Sequence, residues 1–198
     1  GDNNAITATD NVTFNDANGY TRSGEPVVTL RGGTLTAGGN TLGNLVIDGT
    51  VLASGAVVVT DDLVVSSGKL TAGGTLRVDN DTSVAGGDLQ IQGTTNLGDA
   101  NTDSFRLTAG AMRVEAVTNF NATSTVSAGS LTLAAGATFN ADLSVTGDAR
   151  FIAGEQTNAF TIAFAAGRTS SFSGNAVVEL EGPGAQKVQL RSTTPNTR

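Results

Sequence analysis

Residues 63–78 have the sequence Leu63-Val-Val-Ser-Ser-Gly-Lys-Leu-Thr-Ala-Gly-Gly-Thr-Leu-Arg-Val78. Three short segments of this stretch have the form apolar-x-apolar or begin with an apolar residue, Leu63-Val-Val65, Leu70-Thr71 and Leu76-Arg-Val78. Such an alternation places one side of a segment inside and the other in water, so it predicts strands rather than helical turns. The segments are separated by Ser66-Ser-Gly68 and Ala72-Gly-Gly74, and glycine makes sharp corners inexpensive because it tolerates positive φ.

The same three-part pattern returns about every nineteen residues. Steps of 19 residues separate Leu70 from Leu89, Met112 from Leu131 and Phe120 from Phe139. A slip of about four residues occurs between Leu89 and Phe120, where residues 98–104 interrupt the pattern as an inserted corner loop. A fixed period marks an architecture in which each repeat buries its apolar face against its neighbours.

The fold that this pattern predicts is all-β: a single-stranded parallel β-helix, or β-solenoid, of roughly triangular section. Each rung of 17–20 residues holds three short strands. The chain has room for about ten rungs, which at ~4.8 Å per rung form a rod about 50 Å long. The phenylalanines cluster late in the sequence and predict an aromatic ladder inside the rod, formed by Phe105, Phe120, Phe139, Phe151, Phe160, Phe164 and Phe172.

Two parts of the chain are distinguished. Residues 1–26 are a polar N-terminal lead-in, with a first strand at Val12-Thr-Phe14 and a hypothetical contact with a neighbouring subunit. Residues 27–198 form the solenoid body with an open C-terminal end. Thr34-Leu-Thr-Ala-Gly-Gly39 recurs as Lys69-Leu-Thr-Ala-Gly-Gly74 after 35 residues, an interval of two rungs, and residues 153–158 resemble a second corner loop.

Composition excludes several classes of function. The net charge of −7, from 11 basic and 18 acidic residues, argues against nucleic acid and anionic lipid as partners. The chain has no Cys and no His, so thiolate metal sites are excluded and nucleophilic triads lack their usual base. No run of 18 apolar residues exists, so membrane insertion is not expected. No cofactor is predicted.

Acidic residues are the candidates for a catalytic pair or a metal site. Many β-helix enzymes use clustered carboxylates, and the candidates for that role here are Asp79, Asp81, Asp99, Asp103 and Glu115. We interpret the aspartates as corner residues, because Asp is favoured in turns for its own hydrogen bonding. Calcium at the 79–81 or 99–103 corners stays open, since hard cations take oxygen ligands from such loops. No catalytic or metal-binding residue is therefore predicted.

The two ends of the rod are expected to be exposed strand edges. Internal rungs pair with the rungs above and below, whereas terminal rungs have unpaired backbone groups on one side. Soluble solenoids cover these with a cap, and no capping helix is recognisable in the sequence. The rod is therefore expected to stack on its own kind or to be a slice of a longer polypeptide. The candidate interface residues are the apolar ones near each end, namely Val12, Phe14, Val27, Leu30, Val177, Leu180, Val188 and Leu190.

Residues 27–190 resemble a known group of proteins. Gly43-Asn-Leu-Val-Ile-Asp-Gly49, Asp62-Leu-Val-Val-Ser-Ser-Gly68 and Lys69-Leu-Thr-Ala-Gly-Gly-Thr-Leu76 are similar to the Gly/Thr/Asn-rich repeats of secreted bacterial parallel β-helix surface proteins, of the adhesin and autotransporter-passenger type. The resemblance implies a secreted, extracellular or cell-surface structural role. Bactofilins are also similar, as small triangular β-helices that stack end to end in the cytoplasm, but this lysine-poor, Thr/Asn-rich chain departs from their pattern.

The function expected from these observations is a noncatalytic structural subunit that stacks head to tail with itself into a fibre. Two alternatives remain open. The first is an adhesin or phage-type receptor-binding stalk that recognises a cell-surface or matrix glycan. The second is a polysaccharide-cleaving β-helix enzyme.

Overall fold

The computed structural model describes residues 5–14, 27–154, 160–180 and 188–193. Every strand pair among these residues is parallel, and the pairs connect strands about one circuit apart in the sequence. The described residues include no helix, and so none long and apolar enough to cross a membrane. The predicted all-β, three-sided parallel β-solenoid is therefore confirmed.

The strands follow one another in circuits around the solenoid. In chain order they are β1 (Ile6–Ala8), β2 (Val12–Thr13), β3 (Val27–Thr36), β4 (Thr41–Leu42), β5 (Asn44–Ala53), β6 (Val57–Val59), β7 (Leu63–Ala72), β8 (Leu76–Val78), β9 (Thr82–Val84), β10 (Asp88–Ile91), β11 (Thr95–Leu97), β12 (Ser104–Leu107), β13 (Ala111–Val114), β14 (Thr118–Phe120), β15 (Thr123–Val126), β16 (Ser130–Leu133), β17 (Ala137–Phe139), β18 (Leu143–Val145), β19 (Arg150–Ala153), β20 (Phe160–Phe164), β21 (Ser170–Phe172), β22 (Val177–Leu180) and β23 (Val188–Ser192).

The strands build three faces. Face 1 contains β1, the first half of each of the long strands β3, β5 and β7, and then β9, β12, β15, β18 and β21. Face 2 contains β2, the second half of the same long strands, and then β10, β13, β16, β19 and β22. Face 3 is a separate sheet of eight strands, β4, β6, β8, β11, β14, β17, β20 and β23.

Side chains at matching positions of successive strands form columns. The three phases of the sequence pattern correspond to the three faces, and their apolar residues point inward and are buried. Leu70, Leu89, Met112, Leu131 and Phe151, for example, form one inward column on face 2. Burial of these columns is the main favourable contribution to the stability of the fold.

The turn count and rod length predicted from the sequence are wrong. The coil makes about seven turns between β4 and β23, the first and last of the eight strands of face 3, rather than ten. Late circuits are longer than predicted, because 27 residues separate the register partners Leu143 and Ser170 and 28 separate Ile162 and Leu190. Nine strands on face 1 at ~4.8 Å spacing give a rod about 40 Å long rather than about 50 Å.

The near-identical segments at 34–39 and 69–74 do not stack on each other as the sequence spacing suggested. On face 1, Val28 and Leu63 share a column across 35 residues, but on face 2 the column of Leu70 passes through Val51 to Gly33, across 37 residues. The two additional residues are taken up by register shifts after Leu30 and Ile47. Each shift is a single residue and lies between the face 1 half and the face 2 half of its strand, so the alternation of buried and outward residues within each half is kept.

The aromatic ladder is present in the described residues. The Phe120 and Phe139 rings are stacked with centroids 4.5 Å apart, and Phe139 and Phe164 are stacked at 5.5 Å. Phe105 makes an edge contact with Phe120 at one end of the ladder. Phe151 makes an edge contact with Phe172 at the other end. Phe160 is partly buried against the same core. The ladder therefore continues into the last circuit of the solenoid.

Asparagine side chains hydrogen-bond successive circuits to each other, both on face 3 and at the corner that follows it. Asn119 donates to the Asn96 side-chain oxygen at 2.8 Å, and Asn140 donates to that of Asn121 at 2.8 Å. The inserted loop at residues 98–104 is confirmed, because register partners on either side of it are 23 residues apart. The corner loop predicted at 153–158 lies mostly outside the described residues.

Candidate functional site

The last circuit of the solenoid differs from the others in its exposure. We call β21, β22 and β23 together the C-terminal layer. Among the described residues, no strand pairs with the outer edge of these three strands. Four of its apolar side chains are about half exposed, namely Phe172 at 42%, Val178 at 42%, Leu180 at 46% and Leu190 at 52%.

These four side chains occupy inward positions. Each stacks on a buried or partly buried residue of the preceding circuit: Phe172 on Val145, Val178 on Phe151, Leu180 on Ala153 and Leu190 on Ile162. They are exposed because no described circuit lies beyond them, and not because they turn toward solvent. The outer surface of the C-terminal layer is an apolar platform with unpaired strand edges, which is a ready template for pairing with another chain.

The opposite end is built by β1 and β2, which we call the N-terminal edge. Ile6 and Ala8 stack on Val28 and Leu30 of face 1, and Val12 stacks on Leu35 of face 2. Phe14 follows β2, and its N–H donates to the Thr36 carbonyl at 3.0 Å. Ile6, Ala8, Val12 and Phe14 are partly buried. The sequence analysis predicted a strand at Val12-Thr-Phe14, which β2 confirms, but did not predict β1.

The eight predicted interface residues lie at different depths. Val12 and Phe14 belong to the N-terminal edge, whereas Leu30 is buried beneath Ala8 and Val27 starts the next strand inward. Val177, Leu180, Val188 and Leu190 all belong to the C-terminal layer. Val177 stacks on Arg150 and lies in an outward column, and Val188 is partly buried against the core.

Sequence reasoning missed two residues of the apolar platform, Phe172 and Val178. The period of nineteen residues breaks down before β21, so neither residue could be assigned to a column from spacing alone. Phe172 was recognised as part of an aromatic ladder, and its position as the last aromatic residue of that ladder was the available signal for the open end.

A second candidate site is a shallow groove on the outside of face 2. It has a volume of about 220 Å³ and is lined mainly by Lys69, Asp88, Gln90, Arg113 and Glu115. The Glu115 carboxylate accepts hydrogen bonds from Arg113 Nε at 2.7 Å and from the Gln90 side-chain amide at 3.0 Å. Gln92 donates to the same carboxylate at 3.2 Å. The groove therefore has charged and amide groups held in fixed positions.

The hydrogen bond from Arg113 lowers the pKa of Glu115 below its ordinary value, against the opposing effect of partial burial, and Gln90 and Gln92 lower it further. Glu115 is therefore an ionised carboxylate at neutral pH and has no proton to donate there. This arrangement favours holding a polar ligand over general acid catalysis, which needs a pKa close to the working pH.

Two of the four candidate aspartates accept hydrogen bonds from backbone N–H groups at corners. Asp103 accepts from the N–H groups of Asp99 and Ala100, both at 2.9 Å, and Asp81 accepts from the Ser104 N–H at 2.7 Å. Asp79 instead pairs with Arg77, whose guanidinium donates to it at 2.9 Å. Among the described residues, no three acidic side chains are close enough together to hold a metal ion. Turn formation thus accounts for the positions of Asp81 and Asp103.

Comparison with known proteins gives no assignment. No family model matches the chain, and the searches of curated proteins and of solved structures find no significant match. Function must therefore be argued from the two candidate sites themselves.

Proposed function

We propose that this chain is a noncatalytic structural subunit that stacks end to end with copies of itself into an extracellular or cell-surface fibre. The observation that carries the proposal is the C-terminal layer, whose inward-facing Phe172, Val178, Leu180 and Leu190 are about half exposed and have no strand beyond them among the described residues. The resemblance to secreted β-helix surface proteins supports the extracellular location.

The size of the apolar platform suggests how strongly copies would associate. Each of the four side chains would recover roughly 1 kcal/mol when it becomes fully buried, since complete burial of such a side chain contributes about 1.5–3 kcal/mol. Association of two proteins costs about 4–15 kcal/mol in lost freedom. Apolar contact alone therefore gives only weak association at the joint, the contact between the ends of two copies. Backbone hydrogen bonds along the edges of β21, β22 and β23 must add to it, and assembly should depend on concentration.

Negative-stain electron microscopy over a range of protein concentrations tests this function. Uniform filaments one solenoid wide, growing longer as concentration rises, are the expected result. Sedimentation velocity on the same samples supplies the second readout. Rods of single-subunit length at every concentration, with a sedimentation coefficient that does not change, would refute the proposal.

The groove on face 2 favours a second candidate, a stalk that recognises a glycan. Its amides, its carboxylate and the Arg113 guanidinium are donors and acceptors of the kind that bind sugar hydroxyls, and the Gln90 and Gln92 bonds fix the geometry of Glu115. A glycan array probed with the wild type and with Gln90→Ala tests this candidate. Binding that weakens with the substitution supports it, and an absence of binding to any glycan rejects it.

A polysaccharide-cleaving enzyme is the remaining alternative from the sequence. The corner hydrogen bonds of Asp81 and Asp103 count against it, because those carboxylates already satisfy backbone N–H groups. Release of reducing ends from a panel of polysaccharides by the wild type would revive this alternative.

A further inference from the structure

The inward columns of faces 1 and 2 run without interruption from one end of the solenoid to the other. The column that ends at Phe172 begins at Ala8, and the column that ends at Ser170 begins at Ile6. On face 2, the column that ends at Leu180 begins at Val12. A second copy placed on the C-terminal layer in this register would extend each column with its own first residue.

From this we infer the polarity and register of the joint: the N-terminal edge of one copy seats on the C-terminal layer of the next copy so that Ala8 meets Phe172, Ile6 meets Ser170 and Val12 meets Leu180. The inference rests on the proposed end-to-end assembly and specifies its geometry. Parallel pairing of β1 with β21 and of β2 with β22 continues the pattern found inside each subunit.

Side-chain sizes agree with this register. It places the large Phe172 against the small Ala8, and the small Ser170 against the larger Ile6. The same alternation already occurs within the Ile6–Ser170 column, where Phe105 lies between Thr82 and Ser124 and all three are buried. Large residues that face small ones fill the space between layers without a void or a clash.

Charge at the two ends agrees with the polarity. Of the described residues, 5–14 contain one acidic residue and no basic residue, whereas 160–180 and 188–193 together contain one acidic and two basic residues. Arg168 and Arg191 line an open groove of about 660 Å³ at the C-terminal layer, beside Phe164 and Leu190. Asp10 is exposed in the corner between β1 and β2. Unlike ends therefore attract and like ends repel, which favours head-to-tail contact over two C-terminal layers meeting face to face.

Disulfide trapping tests the register cleanly, because the chain has no cysteine of its own. Thr7 and Ser171 are exposed, and they occupy the outward column of β1 and β21 next to the proposed contacts. In the inferred joint they become neighbours across two parallel strands, with Cα atoms about 4.8 Å apart, inside the range of about 4.4–6.8 Å that a disulfide needs.

The experiment mixes Thr7→Cys with Ser171→Cys, one of them carrying a mass tag, at a concentration where the wild type assembles. The mixed Thr7–Ser171 dimer is the expected product. The matched control replaces Thr7→Cys by Thr13→Cys, an exposed position on the neighbouring face. The control should give at least about tenfold less mixed dimer, since the Cα atoms are then outside disulfide range.

Other outcomes separate the inference from the proposed function. Filaments that yield mainly Ser171–Ser171 dimers, or mainly Thr13–Ser171 dimers, overturn the register while end-to-end assembly stands. A wild-type protein that stays monomeric at every concentration overturns the assembly and the register together.

Charge-reversal variants test whether the charges at the two ends set the polarity of assembly. Arg168→Glu with Arg191→Glu should raise the concentration needed for assembly several-fold at low salt, and Asp10→Lys should partly restore assembly of that variant. Added salt should reduce both effects, because it screens exposed charges. An assembly threshold that is the same in all of these variants would show that charge does not set the polarity.

Discussion

The middle of the solenoid and its C-terminal layer are built from the same columns, yet they differ in burial. Leu133 and Leu180 occupy one inward column on face 2, but Leu133 is completely buried whereas Leu180 is 46% exposed. Val145 and Phe172 show the same contrast on face 1. An inward position therefore buries its residue only if a further circuit lies above it. The end of the coil is therefore a surface of core character.

The largest expected effect on the free energy of unfolding comes from comparing a buried phenylalanine with an exposed one. Phe139 lies between Phe120 and Phe164 in the aromatic ladder, so Phe139→Ala should lower the free energy of unfolding by about 3–5 kcal/mol through the cavity it leaves. Phe172→Ala should cost the monomer less than about 1–2 kcal/mol, because its ring is already partly in water. Denaturant unfolding of dilute protein measures both values. Equal losses would contradict the difference in burial.

Two glycines with positive φ provide the second test. Gly110 and Gly167 have φ of 77° and 74°. A Cβ at Gly110 would collide with the Gly87 carbonyl oxygen in the circuit below, whereas a Cβ at Gly167 has nothing within 4 Å. Gly110→Ala should destabilise the fold by about 2–4 kcal/mol and Gly167→Ala by about 1–2 kcal/mol, the cost of the left-handed backbone alone. Thermal and denaturant unfolding of both variants measures the two losses of stability. Equal losses would contradict the closer packing of backbone around Gly110.

Assembly should respond to the platform and not to other exposed apolar residues. Leu180→Asp should raise the concentration needed for filaments by about 10- to 100-fold, the equivalent of about 1.5–3 kcal/mol per joint. Val117 is 56% exposed at a corner far from both ends in the sequence, so Val117→Asp is the matched control and should leave the threshold unchanged. Light scattering against concentration measures the threshold. Equal effects of the two substitutions would show that the platform is not the joint.

The smallest expected effect concerns pH. Because the folded-state pKa of Glu115 is lowered, the stability that its ionised form contributes is present above the ordinary pKa of 4.5 and is lost as pH falls through the folded value. Glu115→Gln should therefore reduce the loss of stability below pH 4.5, by a small amount because the group is partly exposed. Unfolding curves of both proteins at pH 3 to 6 check this, and parallel curves would contradict it.

The regular part of the fold could be predicted because its columns repeat at a constant spacing. From Leu63 to Val145 each apolar residue assigned to a phase lies on the predicted face, and the slip at residues 98–104 was located correctly. Corners with Gly, Asn and Asp allow this regularity, since they fix the circuit length locally.

What could not be predicted depends on contacts between circuits. The two additional residues in β5 and β7 shift the register on one face only, and no local pattern announces them. Circuits of 27 and 28 residues hide the phase of Phe172 and Val178, so the platform was only half recognised through Leu180 and Leu190. β1 was missed because Ile6-Thr-Ala8 is short and has a single large apolar residue, and its strand conformation depends on pairing with β3.

The axial repeat of assembled protein shows whether the columns of one copy continue into the next, and electron cryomicroscopy of filaments measures it. Head-to-tail stacking in which the columns continue contributes nine strands per subunit on faces 1 and 2. The expected result is a polar filament with a repeat of about 43 Å and an unbroken ~4.8 Å strand spacing across the joint. Closed two-subunit particles, or isolated rods at every concentration, would contradict it.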